Sequence, residues 1–264
     1  MSDPLNPLSF VGSPEWRSAL AALACMTPSL AALISGRLRR WQTWAAVAAG
    51  AILFPLSLAW VQAPIELALH WVWSRLFGAS AAEGYLLSIA VPLVFVAGPV
   101  QEGVKLLAAI AALRGVRSTR RPLAGLVVGA AVGAGYGAME AFWVISALSG
   151  PGWTWAVART QGMPPAVVIV ERLLAVAFHT GAAAVAGYGY AAGRPWRYLA
   201  VAVVLHGAMN CGDILRAAGL VGIAAQEAWV ALLSAATLGL ALWLRHCTAR
   251  RDPAGARPTV STLV

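Results

Sequence analysis

The sequence predicts an all-α, polytopic transmembrane helical bundle of about seven spans, and three observations carry that prediction. Hydrophobic residues make up 60% of the chain and charged residues 11%, with a mean hydropathy of +0.73. That leaves too little polar surface to coat a water-soluble globule of 264 residues. Apolar runs near or above the roughly 20 residues that cross a bilayer as a helix recur along the whole chain. Finally, the basic residues fall in the short connections between those runs.

The spans are expected at 18–36, 41–63, 84–113, 123–148, 165–191, 197–215 and 223–244. Asp3, several prolines and Glu15 precede the first run where a basic segment would mark a cleaved signal, so 18–36 reads as a membrane helix. After the second run, 64–80 carries Glu66, His70 and Arg75 among Trp71, Trp73 and Phe77, the composition of an amphipathic helix lying at the outer interface. In the third run, Gly98-Pro99 predicts a helix break just before Gln101-Glu102. The fourth holds Gly129, Gly133 and Gly137, four apart, a smooth face that lets another helix approach closely. From Asp252 the chain is rich in Pro, Thr and Arg, and 252–264 is expected to be a disordered tail. The organisation is therefore one integral membrane domain over 1–264, with its motif-bearing core at 85–215.

Alternating the sides of the membrane places thirteen arginines on one side (37, 39, 40, 114, 117, 120, 121, 194, 197, 245, 250, 251 and 257) and four, Arg17, Arg75, Arg159 and Arg216, on the other. The positive-inside rule then orients the chain with its N-terminus outside and its C-terminus in the cytoplasm, as for a multi-pass protein of a bacterial cytoplasmic membrane. The net charge of +9 is accounted for by topology, and nucleic acid is not an expected partner. Cys25, Cys211 and Cys247 have no metal-type spacing and are expected to be free thiols.

Glu102, Lys105, Glu140, Glu171, Arg172, His179 and His206 remain inside the apolar runs, with Gln101, Asn210 and Asp213 as polar companions. A charge at mid-bilayer costs about 2.5–3.5 kcal/mol even on the most lenient scale, so such groups are paired or functional. Lys105 is three residues from Glu102 and four from Gln101 and can reach back to either. Glu140 follows Gly137 by three on the glycine face, and His206 and Asn210, four apart, project from one helix face. Glu171 and Arg172, adjacent and able to pair with neighbours, read as structural.

Two glutamates and two histidines on four spans are what peptide-bond hydrolysis in a membrane needs: a carboxylate to take a proton from water, and imidazole and amide N–H donors for the oxyanion. The same groups could hold a metal that acidifies bound water. The residue types leave both open. Neither His-Glu-x-x-His nor Gly-x-Ser-x-Gly occurs. No internal repeat of the kind found in inverted-topology transporters is evident.

The order Glu102-x-x-Lys105, Gly133-x-Gly135-Tyr136-x-x-x-Glu140, a lone His179, then His206-x-x-x-Asn210 resembles the PrsW family of intramembrane proteases, within the CAAX-protease and bacteriocin-processing superfamily. YhfC-type intramembrane proteases are a close rival, and Glu171-Arg172 points their way. The resemblance spans roughly 85–215. It implies water activation by Glu102 with Glu140 or a histidine, oxyanion stabilisation by His206 and Asn210, and supporting roles for Gln101 and Lys105. The resemblance favours a glutamic-type mechanism that requires no cofactor over a metalloprotease, though zinc is possible, with ligands from Glu102, Glu140, His179 and His206. The implied substrate is a membrane protein or peptide, such as a membrane-bound regulator, cut in or near its span.

One departure stands out. Gln101 occupies a place where the family carries a glutamate, which leaves open a changed mechanism, an inactive relative or an engineered variant. The alternative function is a non-catalytic protein of the same fold, with a chaperone, immunity or sensor role, that binds a partner helix on the Gly129/Gly133/Gly137 face.

Overall fold

A computed structural model describes residues 3–11, 16–34, 41–78, 86–114, 121–149 and 165–251. Every regular element in them is helical: α1 (Trp16–Ile34), α2 (Trp41–Ser57), α3 (Ala63–Phe77), α4 (Leu86–Arg114), α5 (Pro122–Ser149), α6 (Pro165–Ala191), α7 (Pro195–Ala217) and α8 (Ile223–Arg251), preceded by a 3₁₀ turn, Pro7–Phe10. Seven of the resulting helical segments are long and apolar enough to cross a membrane, at or near the spans expected from the sequence. The tail at 252–264 lies outside the described residues.

Two expectations about local structure change. The segment expected as a separate amphipathic helix, 64–80, is the continuation of α2. A π turn, Leu58–Gln62, joins α2 to α3 into one helix of 37 residues. At 1.5 Å per residue that is about 56 Å, well beyond the roughly 30 Å of a hydrocarbon core. Only Ala63 of α3 is buried, so α3 stands away from the bundle until Gly78, at a φ of 87°, ends it. The break expected at Gly98-Pro99 does not occur either, because α4 runs through both Pro92 and Pro99. Proline removes one backbone bond, but Gly98 is packed against the backbone of Val203 on α7, and neighbouring helices hold the turn in place.

The bundle is built around α5 and α6, which form its largest helix–helix interface. The reason lies in the glycines. A Cβ at Gly125, Gly129 or Gly133 would collide with the carbonyl of Gly187, Ala183 or His179 on α6, so the two backbones touch only because none is present. The smooth face expected to receive a partner helix is therefore filled by the chain's own α6, which corrects that expectation. Gly135 points the other way, against Val47 of α2. Around this pair pack α1 and α8 on one side and α4 and α7 on the other. Hydroxyls pin the helices together, with Ser57 Oγ 2.9 Å from Tyr136 Oη and Ser29 Oγ 3.2 Å from Thr180 Oγ1. The large apolar residues left exposed, such as Trp41, Ile52, Leu107, Val204, Leu232 and Trp243, suit contact with lipid.

Candidate active site

The seven ionisable residues stranded in the spans form one continuous chain of contacts. Glu102 and Lys105 project from α4 into the centre of the bundle, each fully buried. Lys105 Nζ lies 2.6 Å from Glu102 Oε1 and 2.9 Å from His179 Nδ1 on α6. His206 Nδ1, from α7, lies 2.7 Å from the same Glu102 oxygen. On the far side of His179, Nε2 is 2.9 Å from Glu140 Oε2 of α5, whose other oxygen accepts from Arg172 Nη1 at 3.0 Å. Arg172 is in turn paired with Glu171. Lys105 reaches back to Glu102 and not to Gln101, and its ammonium also lies 5.1 Å from the centre of the Tyr136 ring, over which a cation is favourable.

These contacts fix the histidine tautomers. A lysine ammonium only donates, so His179 Nδ1 accepts from it, and the ring proton is at Nε2, donated to Glu140. In His206, Nδ1–H donates to Glu102, which leaves Nε2 with no hydrogen bond among the described residues. A carboxylate that orients an imidazole through one nitrogen and leaves the other free is the usual support of a reactive or metal-binding histidine.

Above this chain lies a cavity of about 320 Å³ lined by His179, His206, Glu140, Arg172, Glu171, Asn210 and Asp213, and on its other wall by Gln62, Glu66 and Gln101. Phe10, Phe54, Trp143 and Phe178 close its apolar sides. Its polar lining extends from mid-bundle toward one end of the bundle. His179 and His206 are near the middle of their helices, whereas Glu140, Glu171 and Asp213 lie toward the ends of α5, α6 and α7 that are joined through 150–164 and 218–222. The polar path thus leads from mid-bundle to the face opposite the arginine-rich connections.

Of the residues expected at the site, Glu102 is joined directly to His206 and His179 directly to Glu140, with Lys105 linking the two pairs between α4 and α6. Asn210 lines the cavity but makes no side-chain hydrogen bond among the described residues. Gln101 points away from the cluster, donating to Gln62 Oε1 at 3.0 Å. Arg172, read from the sequence as structural, holds Glu140 and faces the cavity. Gln62 and Glu66 were missed, although their spacing of four in an apolar run was a usable signal. Phe10 and Trp143 had none, because their role comes from the 3₁₀ turn folding back, where Trp143 Nε1 donates to Ser9 O at 3.1 Å.

The donor set fits a metal. Glu102, His179 and His206 can each offer a ligand atom, all within 4.8 Å of one another. A carboxylate and two imidazoles are a known ligand set of catalytic zinc. Among the described residues Glu102 Oε2 is buried without a partner and His206 Nε2 is free, so two donors are available as they stand. His179 has both nitrogens engaged and can join only by exchanging one partner.

Residues 38–238 match the family described as PrsW family intramembrane metalloprotease. No curated protein and no solved structure was found to match the chain. The matched region contains every member of the contact chain and begins after the Pro7–Phe10 turn that closes the cavity.

Proposed function

Since the chain belongs to the PrsW family of intramembrane metalloproteases, we propose that it hydrolyses a peptide bond of another membrane protein within the cavity above Glu102, His179 and His206. The observation that carries this reading is the buried Glu/His/His cluster beneath a polar cavity at mid-bundle. Intramembrane ionisable groups are costly, and so many in one contact chain are explained by chemistry better than by packing.

In this reading Glu102, His179 and His206 would hold the metal, which would supply a Lewis acid for the scissile carbonyl and for water. Glu140 faces the cavity, lies outside that trio and touches His179 of it, and its carboxylate takes the proton from the attacking water and later delivers it to the leaving amine. Arg172 holds Glu140 in position through Oε1. Asn210, one turn along α7 from His206, offers its amide N–H to the developing oxyanion. Lys105 and Glu102 orient the two imidazoles from below.

In the orientation that the arginine bias supports, the cavity opens toward the outside, and the cut falls in the outer half of the substrate's span or just beyond it. A membrane-bound regulator with a single span, in a bacterial cytoplasmic membrane, is a substrate of the right class. The test is cleavage of fluorescent single-span proteins by purified protein in detergent. Glu140→Gln is expected to lower kcat at least about 100-fold, within the range of general-base catalysis. Wild-type rates from Glu140→Gln, Glu102→Gln and His206→Ala alike would overturn the reading.

A further inference from the structure

Gln62 and Gln101 face each other across the cavity wall and use only part of what two amides can offer. Gln101 Nε2 donates to Gln62 Oε1 at 3.0 Å, and Gln62 Nε2 donates to Glu66 Oε1 at 2.9 Å. Gln101 is 7% exposed, and its Oε1 is buried with no hydrogen-bond partner among the described residues. A buried acceptor left unpaired carries its whole desolvation cost, and natural structures tolerate few of them. The position is also unusual. Gln62 ends the π turn, a feature that often marks functional sites, and Gln101 precedes Glu102 of the contact chain.

A protease acting at this depth meets a substrate that is helical in lipid and must be extended to be cut. Each backbone group freed from that helix needs a partner, because the surrounding hydrocarbon offers none. A primary amide presents one donor and one acceptor side by side, as a peptide unit does, and so can pair with an extended strand. We propose that Gln101, steadied by Gln62 and Glu66, is a substrate-binding residue that clamps the unwound segment, its Oε1 accepting one backbone N–H beside the scissile bond. In the free protein the two glutamines pair with each other, and the terminal amide torsion is soft enough for Gln101 to turn toward the cavity when a strand arrives. A glutamine suits this place where a glutamate does not, since a carboxylate has no N–H to give Gln62. The proposal rests on the protease reading given above.

The test uses full-length protein in detergent micelles and a dansylated Leu/Ala-rich peptide of about 20 residues with a Gly-Ser-Gly centre. Versions of the peptide replace one central amide at a time by an ester, which deletes a single N–H. Binding is followed by energy transfer from tryptophan, and cleavage is read on the same samples. The expected result is that one ester position weakens binding to wild type about tenfold, while Gln101→Met binds that ester and the parent peptide equally. Gln62→Leu, which frees Gln101 from its partner, is expected to reduce the ester penalty and serves if Gln101→Met does not fold. Three results overturn the clamp: no ester penalty in wild type, as when water alone serves Gln101 Oε1; a penalty unchanged in both variants; or no binding of the parent peptide. A peptide that is cut but indifferent to ester and variants overturns the clamp and leaves the protease reading. One that shows the penalty but is never cut does the reverse.

Discussion

Lys105 Nζ lies 2.9 Å from His179 Nδ1 and so ties α4 to α6 through the middle of the bundle. With Glu102 on the same ammonium, this one cation neutralises the deepest carboxylate and fixes the tautomer of the histidine that carries Glu140. Both functions depend on a charge, and neither survives an apolar replacement of the same length.

Lys105→Met is therefore expected to cost about 3–5 kcal/mol of stability, the range for breaking a buried pair and leaving one charge unpaired. Unfolding in mixed micelles by increasing SDS would measure it. A variant as stable as wild type would show that Glu102 is not held by Lys105.

Arg172→Gln removes the group that fixes Glu140 while leaving His179 in contact with it. Kinetics on a fluorescent single-span substrate should show kcat reduced about 10–100-fold, the usual effect of losing an orienting partner, with KM little changed. A change confined to KM would assign Arg172 to substrate binding.

The glycine stripe gives a paired prediction. Gly133→Ala places a methyl group against the His179 carbonyl and the Ala183 side chain, and overpacking of this kind costs about 1–3 kcal/mol. Gly103→Ala meets nothing within 4 Å and should be neutral or slightly stabilising. Comparing their SDS midpoints with wild type checks both, and equal effects would mean that α5 and α6 are not in backbone contact.

Metal dependence has a direct readout. Purified protein is expected to contain about one zinc per chain by elemental analysis, consistent with a three-residue catalytic set. It should lose activity on chelation and regain it with zinc. His206→Ala is expected to abolish stoichiometric metal while the fold persists, and metal content unaffected by His206→Ala would remove His206 from the ligand set.

The spans were legible because lipid imposes a rule that acts residue by residue. An apolar run of sufficient length has to be a helix, and seven such segments are found. Glu102, Glu140, His179 and His206 were legible for the same reason, since a titratable group in such a run is anomalous before any partner is known. What the sequence could not decide was pairing. Arg172 adjoins Glu171 in the chain and does pair with it, so the sequence offered no reason to expect its second bond to Glu140, 32 positions away.

The same limit explains the glycine face and Gln101. Periodicity establishes that Gly129 and Gly133 form a smooth stripe, but whether that stripe meets a partner or the chain itself depends on which helices are neighbours, and α6 takes the place. Gln101 reads in the sequence as a missing acid. In the folded chain the π turn, an irregularity with no signature in an apolar run, ends at Gln62, which pairs with Gln101 and leaves its carbonyl without a partner among the described residues. The sequence by itself determined which residues lie in the membrane and which of them are too costly to be there without a purpose. Only the tertiary structure decided which partner each one has, because hydropathy is a property of single residues and hydrogen bonding is a property of pairs that the fold brings within about 3 Å.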